Sequence, residues 1–400
     1  MPTVLLTLNA GSSSVKFALY GVTTGVPVPQ AAGQVEGLGT APIFKVTVVG
    51  GETRRDPLDT RLETSPHGAA VNAILDWIEA AMPEARVVAV GHRVVHGGPD
   101  LAAPVLIDDG RLEILRGLIP LAPLHQPHNI AGIEAARAAF PGAPQVACFD
   151  TAFHRGHPLF ADTFALPRRY YDQGVRRYGF HGLSYEFVSQ QLRHIAPTEA
   201  AANVVIAHLG NGASMCGIRD GRSIASTMGF TALDGLPMGT RCGQIDPGVL
   251  LYLMQHDGLD YAALSDLLYN QSGLKGLSSV SSDMRELEAS DQPQAAEAIV
   301  YFVSRIRREL AALAADLGGL DAVVFTGGIG ENSARIRAAV LDGVGWMGIA
   351  LDPQANAACG PLISKPDSTV RAFVIKTDEE AMIAQHTMRT AGLAAASHAA

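Results

Sequence analysis

Two arginines in this sequence stand where an arginine needs an anion. Arg93 lies within the apolar stretch 86–98, between Val90 and Val94-Val95. A guanidinium partly buried there requires a negatively charged partner. Arg241 is held in a turn by the bracketing glycines of Gly239-Thr240-Arg241-Cys242-Gly243. Glycine-rich loops recur at three places, each after a short apolar run. Val4-Leu5-Leu6 leads to Asn9-Ala10-Gly11-Ser12-Ser13-Ser14, Val204-Val205-Ile206-Ala207 to Gly210-Asn211-Gly212-Ala213-Ser214, and Val323-Val324-Phe325 to Gly327–Asn332. A loop with so few side chains lets backbone N–H groups approach a phosphate, and glycine supplies dihedrals that other residues avoid. The same pattern also serves as a plain tight turn. None of the three is a Walker A loop or a dinucleotide G-x-G-x-x-G. Lys16, just past the first loop, can point an ammonium at a phosphate.

The acids and histidines carry two readings each. Asp150 follows the strand-like run 145–149, and open α/β sheets place chemistry at the C-terminal ends of strands. It equally suits an Asx turn. His125 sits in a proline-bounded loop. His181, between an aromatic and a glycine, reads most simply as a packed histidine. Asp378-Glu379-Glu380 opens the last helix, where the dipole favours acids in any case.

The elements that must position these residues follow from periodicity. Residues 69–82 read as a helix with Val71, Ile74, Leu75 and Ile78 on one face and Pro83 beyond its end. Asn129 reads as the cap of a helix that Pro141-Gly142 stops. Asp246-Pro247 caps another. The long amphipathic stretch 295–317, stopped by Gly318-Gly319, has Ile299, Phe302, Val303 and Ile306 for a core or an interface. Residues 21–66 are rich in Pro, Gly and Thr, with short β-like runs. Val4 aligns with Val204 and Ser14 with Ser214, so strand and loop are duplicated.

Composition bounds the rest. Four hundred residues fit two domains, and 48% hydrophobic residues with 42 glycines allow a large, tightly turned core. A net charge of −9 gives no general electrostatic case for nucleic acid or an anionic membrane, so an anionic substrate needs locally placed arginines. The four cysteines are far apart with no C-x-x-C pair, which points to a reducing compartment and away from a zinc site. There is no apolar run of about 18 residues and no basic leader, and a cytoplasmic location is expected.

Eight motifs run through the chain in order: Asn9–Ala10-Gly11-Ser12-Ser13-Ser14 with Lys16, Gly91-His92-Arg93-Val94-Val95-His96-Gly97-Gly98, Phe149-Asp150-Thr151-Ala152-Phe153-His154, Arg177-Tyr178-Gly179-Phe180-His181-Gly182, His208-Leu209-Gly210-Asn211-Gly212-Ala213-Ser214, Met238-Gly239-Thr240-Arg241, Ser281-Ser282-Asp283-Met284-Arg285 and Gly327-Gly328-Ile329-Gly330-Glu331-Asn332. On these the whole chain resembles the acetate kinase (acetokinase) family, which is grouped with the sugar kinases, actin and the heat-shock ATPases.

The resemblance implies an α/β fold of two duplicated actin- or ribonuclease-H-like domains. Each would be a five-stranded mixed sheet flanked by helices, with the nucleotide in the cleft between them. It divides the chain into 1–150 plus a C-terminal helix at about 384–400, and 151–383, the latter carrying the nucleotide loops and the interface of a homodimer. The implied activity is reversible, in-line transfer of the ATP γ-phosphoryl to acetate, giving acetyl phosphate and ADP, with Mg²⁺ or Mn²⁺. A propionate or other short-chain acyl kinase is the alternative. Two anions must meet, so catalysis is positioning plus positive charge.

By the same resemblance Arg93 holds the carboxylate, Arg241 the carboxylate or the transferring phosphoryl, and His181 a phosphoryl oxygen. Asn9 and Glu380, with Asp150, hold the metal, unless Asp150 only orients the arginines. Val95, Leu124, His125, Phe180 and Ala232 surround the carboxylate. Lys16 and His208, Leu209, Gly210, Asn211 and Gly212 meet phosphates. Asp283, Met284 and Arg285, with Gly328, Ile329, Gly330, Glu331 and Asn332, surround the nucleoside.

The chain departs from the family pattern at a few positions. Ala232 replaces a proline, Leu183-Ser184-Tyr185 replaces Thr-Ser-His, and Gln244 and Asp378 replace an acid and an Asn. None of these is expected to touch the arginines, His181 or the metal acids. Two rivals stand apart. An actin-like switch needs the nucleotide loops but not Arg93, Arg241 and Val95 together. A sugar kinase needs a catalytic Asp and a polar wall in place of Phe180 and Leu124.

Overall fold

The computed structural model describes residues 2–11, 13–22, 25–58 and 66–393; Ser12 of the first loop lies outside them, as do residues 394–400 of the expected C-terminal helix. The chain divides into two compact units, Met1–Phe153 with Asp378–Ala400, and His154–Thr377.

The first unit is built on β1 (Thr3–Ala10), a nearly continuous apolar run buried on both faces, as a central strand requires. Antiparallel β2 (Ser14–Gly21) returns beside it, with Asn9 opposite Lys16, and Gly11 N–H donates to Ser14 O at 2.8 Å to close the turn. Then come β3 (Val28–Glu36), β4 (Ile43–Val48), β5 (Thr53–Pro57), β6 (Arg86–Val94), β7 (Val105–Leu106) and β8 (Gln145–Phe149), in the order β5-β4-β3-β2-β1-β6-β8-β7. The sheet therefore has eight strands where five were expected. The extra ones, β4, β5 and β7, flank the central five and are half-polar or very short, and the edge strand β5, Thr-Arg-Arg-Asp-Pro, is the charged, proline-ended kind that resists further pairing.

Helix Pro66–Ala81 packs Val71, Ile74, Trp77 and Ile78 against Leu6, Leu8 and Phe17 on one face. On the other face the final helix, Glu379–Thr390, packs Ala384 and Met388 onto Leu5, Ala18 and Tyr20. It opens at Glu379, beside the acids read as its start, and the segment that joins the first unit begins at Asp378 rather than at about 384. Gly91 is required by this closeness, since a Cβ there would strike Thr387 and Ile383.

The second unit has β9 (Asn203–Leu209), β10 (Ala213–Arg219), β11 (Arg222–Ser226), β12 (Ala322–Thr326) and β13 (Arg371–Val374), in the order β11-β10-β9-β12-β13. β10 runs antiparallel to β9, while β12 runs parallel to both β9 and β13. The middle of the first sheet, β3-β2-β1-β6-β8, repeats this arrangement, so the duplication seen in the sequence is one of topology. The third glycine loop opens no third copy; it joins β12 to the short helix Gly327–Asn332. Helix Pro293–Leu317 ends on Gly318 at φ 70° and buries Ile299, Phe302, Val303 and Ile306, so its apolar stripe is core. Helix Pro247–His256, capped by Asp246 accepting from Gly248 N–H at 2.8 Å, buries no residue.

Candidate active site

In the first unit the chemistry gathers at the C-terminal ends of β6 and β8, which pair in parallel with Arg93 beside Cys148. Asp150, one residue past β8, donates its N–H to Val94 O at 3.1 Å. Its carboxylate takes Arg93 in a fork: Nε donates to Oδ1 at 3.0 Å and Nη2 to Oδ2 at 2.5 Å. Nη1 donates to Asn9 Oδ1 at 3.2 Å, and Glu379 Oε2 lies 3.8 Å from Nε. Burial alone would lower the Arg93 pKa, but Asp150, Glu379 and Glu380 together raise it, so the cation is secure. Glu379 was not foreseen as a member of this cluster. Nothing in the sequence links it to Arg93 except its place beside Glu380.

Asn129 does not cap its helix, which runs Gln126–Ala139 with His125 at the cap position. Its side chain ties the ends of two strands instead. Oδ1 accepts from Val95 N–H at 2.9 Å and Nδ2 donates to Ala10 O at 2.7 Å. Val95 is buried, His125 half-buried and Leu124 exposed. His92 is a core histidine. Burial pushes its pKa down to about 4 and its Nε2 pairs with Gln145 Oε1 at 2.7 Å.

Lys16 lines an open cavity of about 630 Å³ with Tyr20, Lys45, Asp378 and Glu380. Burial, then Glu379, hold the Glu380 carboxyl above its usual range, with Asp378 adding to them and Lys16 opposing.

In the second unit β9 empties into Gly210-Asn211-Gly212 and β10 begins at Ala213. A Cβ on Gly212 would lie 3.2 Å from Arg241 Nη2 and 3.3 Å from His181 Nε2. The missing side chain thus brings a guanidinium and an imidazole against one backbone turn. Arg241 Nη1 donates to Ala232 O at 2.6 Å, and Gly239 N–H to Asn211 O at 3.0 Å. His181 occupies the left-handed region at φ 58°, stacks on His208 with centroids 4.3 Å apart, and pairs Nδ1 with Ser214 Oγ at 2.9 Å. Phe180 is buried, and its carbonyl is 3.0 Å from His154 Nε2.

A cavity of about 650 Å³ opens beside this turn, a volume that suits a small-molecule ligand. Among the expected nucleotide residues, Gly210, Asn211, Asp283, Met284, Arg285, Gly328, Ile329 and Asn332 line it; Ser282, Glu288 and Ser333 line it too and were not singled out. Ser282 lies within a quoted motif and Ser333 adjoins one; Glu288 is delivered by the helix Met284–Ala289 and had no signal of its own.

Leu209 and Gly330 are interior and do not line the cavity, and Glu331 braces the loop. Glu331 Oε1 accepts from Gly327 N–H at 2.9 Å and from Thr377 N–H at 3.1 Å. Fully buried Arg337 clamps the same loop from behind. Nη1 donates to the carbonyls of Gly330 and Glu331 at 2.9 Å each, and Nε donates to Asn356 Oδ1 at 2.7 Å.

The departures from the family pattern are not all remote, contrary to expectation. The Ala232 carbonyl holds Arg241, Tyr185 Oη is 2.5 Å from Ser214 Oγ and so reaches His181, and Asp378 caps the helix of Glu379 and Glu380 through Ala381 N–H at 2.8 Å. Leu183 is core and Gln244 Oε1 accepts from Arg305.

The sequence model of the acetokinase family matches residues 4–385. The chain belongs to the acetokinase family. An acetate kinase of Methylocella silvestris is 58% identical over 97% of this chain and 98% of its own length. Among solved structures, an acetate kinase of Porphyromonas gingivalis is similar with a TM-score of 0.87 at 39% identity, covering 97% of this chain and 99% of that one. A propionate kinase of Francisella tularensis gives 0.90 at 38% identity, also over 97% of this chain and 99% of that one. The fold is thus that of the family, and ATP is its phosphoryl donor. No helix among the described residues is long and apolar enough to cross a membrane.

Proposed function

We propose that the chain phosphorylates acetate reversibly, with ATP as donor, forming acetyl phosphate and ADP in the cytoplasm. The observation that carries this reading is the convergence at Gly212. Arg241 and His181 flank the same turn whose Gly210 and Asn211 line the nucleotide-sized cavity. Positive charge and a hydrogen-bond donor therefore stand where the phosphate end of a nucleotide arrives.

A carboxylate oxygen of acetate attacks the γ-phosphorus while the bond to the β–γ bridging oxygen breaks and ADP leaves. Charge spreads over the three equatorial oxygens, so the protein's part is positioning and electrostatics. Arg241 and His181 bind those oxygens. Arg93 holds the carboxylate, and Asp150 and Asn9 hold Arg93, their hydrogen bonds fixing the guanidinium plane. In this reading Val95, Leu124, Phe180 and Ala232 are the apolar surroundings of the methyl group, and His125 lies near the reacting carboxylate. Lys16 serves the phosphates.

The donor set suits Mg²⁺, or Mn²⁺ in its place. Asn9 and Glu380, with Asp150, offer oxygen ligands, and burial, followed by the neighbouring acids Glu379 and Asp378, raises the Glu380 pKa. Among the described residues no group of three acids, histidines or cysteines forms a closed metal cage. Mg²⁺ is commonly held by one or two carboxylates together with substrate phosphates. An ion held by these residues would supply positive charge against the nucleotide's phosphates.

The test is a mixture of protein, ATP, Mg²⁺, acetate and hydroxylamine. Acyl hydroxamate should accumulate in step with ADP. ADP without hydroxamate would point to an ATPase or a switch.

A propionate kinase is the second reading, favoured by Ala232. With a methyl where the family has a proline ring, the pocket gains room for one more methylene. Such a group is worth about 0.8 kcal/mol of transfer energy, and pockets discriminate it by about 1–3 kcal/mol. Propionate should therefore fall within roughly tenfold of acetate in kcat/KM, and Ala232→Pro should widen the gap. Equal discrimination by both proteins would remove Ala232 from the pocket.

A homodimer completes the proposal. Helix Pro247–His256 exposes Leu251 at 66% and Tyr252 at 55%, beside Val249 and Met254, and so offers an apolar face. Light scattering at micromolar concentration should give twice the chain mass of 42.0 kDa. A monomer there refutes the dimer.

A further inference from the structure

From the contacts of two buried hydroxyls we infer that Tyr185 and Ser214 are positioning residues that fix the tautomer of His181, so that it presents Nε2–H on the side of Gly212 and Arg241. The inference rests on the reading of His181 as a phosphoryl ligand and adds the group that sets its proton.

Tyr185 lies on helix Gly182–Ile195 and is fully buried, and Ser214 on β10 is fully buried too. Tyr185 Oη is 2.5 Å from Ser214 Oγ, and Ser214 Oγ is 2.9 Å from His181 Nδ1. Burial holds the Tyr185 phenol well above its usual pKa, so it keeps its proton. That O–H needs an acceptor, and Ser214 is its one hydrogen-bonding partner among the described residues. Ser214 Oγ therefore accepts from Tyr185 and turns its own hydrogen to His181 Nδ1. An imidazole whose Nδ1 accepts carries its proton on Nε2.

The opposite order runs from His181 Nδ1–H to Ser214 and on to Tyr185 Oη. It leaves the phenol O–H buried without an acceptor. If Ser214 Oγ accepted from both Tyr185 and His181 Nδ1–H, its own buried hydrogen would be the one left over, since Ser214 Oγ meets only these two groups among the described residues. Both arrangements are costlier. The neighbouring ring follows the same logic. Thr377 Oγ1 donates to Ser184 Oγ at 2.8 Å, and Ser184 pairs with His208 Nδ1 at 2.8 Å.

The direction of the relay matters because of what Nε2 faces. It lies 3.3 Å from where a Gly212 Cβ would be, with Arg241 Nη2 3.2 Å from the same point. A lone pair there would repel phosphoryl oxygens, whereas an N–H binds them. The ring cannot turn away, being stacked on His208 and carried by a left-handed backbone at φ 58°.

Tyr185→Phe keeps the aromatic ring and removes only the first donor. We expect kcat to fall about tenfold, the loss of one hydrogen bond's orienting effect, with KM for ATP and acetate unchanged. Ser214→Ala should lose as much, and the double variant no more than either single one, as a shared relay requires. The ¹⁵N spectrum of His181 should show the Nε2–H tautomer in the native protein and a mixture in Tyr185→Phe. An Nδ1–H tautomer in the native protein, additive losses, or an unchanged kcat in Tyr185→Phe overturns the inference. His181→Ala separates the two readings. If it keeps full kcat, the phosphoryl role of His181 fails, while the native ¹⁵N spectrum still decides the tautomer.

Discussion

Arg241→Ala is expected to lower kcat by about 10³–10⁵, the range arginine contributes to phosphoryl transfer, with the protein folded. Its Nη1 donates to a neutral carbonyl, Ala232 O, a contact that leaves no charge behind when the side chain is removed. The main loss is therefore positive charge at Gly212, and a thermal melt run beside the rates shows that the variant is folded. Arg93→Ala should cost a similar factor, but it also removes the fork held by the buried Asp150 carboxylate. Breaking such a pair destabilises by about 3–5 kcal/mol, so thermal melts must accompany the rates. Arg93→Lys keeps a cation yet loses the fork that spans both Asp150 oxygens, and it should rescue poorly. Near-normal turnover in folded Arg241→Ala would sink the site assignment.

Glu380→Ala should raise the Mg²⁺ concentration needed for half-maximal rate by about tenfold or more, the scale on which groups of a metal site act. The alternative is that Glu380 only complements the dipole at the start of helix Glu379–Thr390. In that case the variant loses about 0.3–1 kcal/mol of stability and its metal response is unchanged. Its crowding with Asp378 and Glu379 argues for the former, because repulsion among acids is relieved by a cation. Titrating Mg²⁺ against rate, alongside a melt, separates the two.

What the sequence made legible was what local chemistry dictates. β8, an apolar run between turn residues and Asp150, was read to the residue, and the β9 turn announced itself by its glycines. The Gly318 stop follows from dihedral preference, and the Asp246-Pro247 cap from a local side-chain hydrogen bond together with proline's fixed φ. The outer strands β3 to β5 were read only as β-like runs: β4 alternates over just six residues and edge strand β5 is almost wholly exposed. Asn129 looked like a cap because Asn before a helical pattern usually is one. Its real partners, Val95 N–H and Ala10 O, are brought to it by tertiary structure. The same holds for Glu379 beside Arg93 and for Tyr185 behind Ser214. Each lies in a recognised motif or next to one, but its partner is set by how strands and helices align in space. Glu331 shows the converse, a motif acid that braces the backbone rather than lining the cavity.

The central claim is that a carboxylate oxygen forms the new bond to phosphorus. Acetate labelled with ¹⁸O in its carboxylate, incubated with the protein, ATP and Mg²⁺, tests it by ³¹P NMR. The account predicts an acyl phosphate resonance displaced by ¹⁸O in the bridging position, growing as ADP appears and absent when acetate is withheld. ADP formed with the label left entirely in free acetate, or with unlabelled inorganic phosphate as the product, would contradict it.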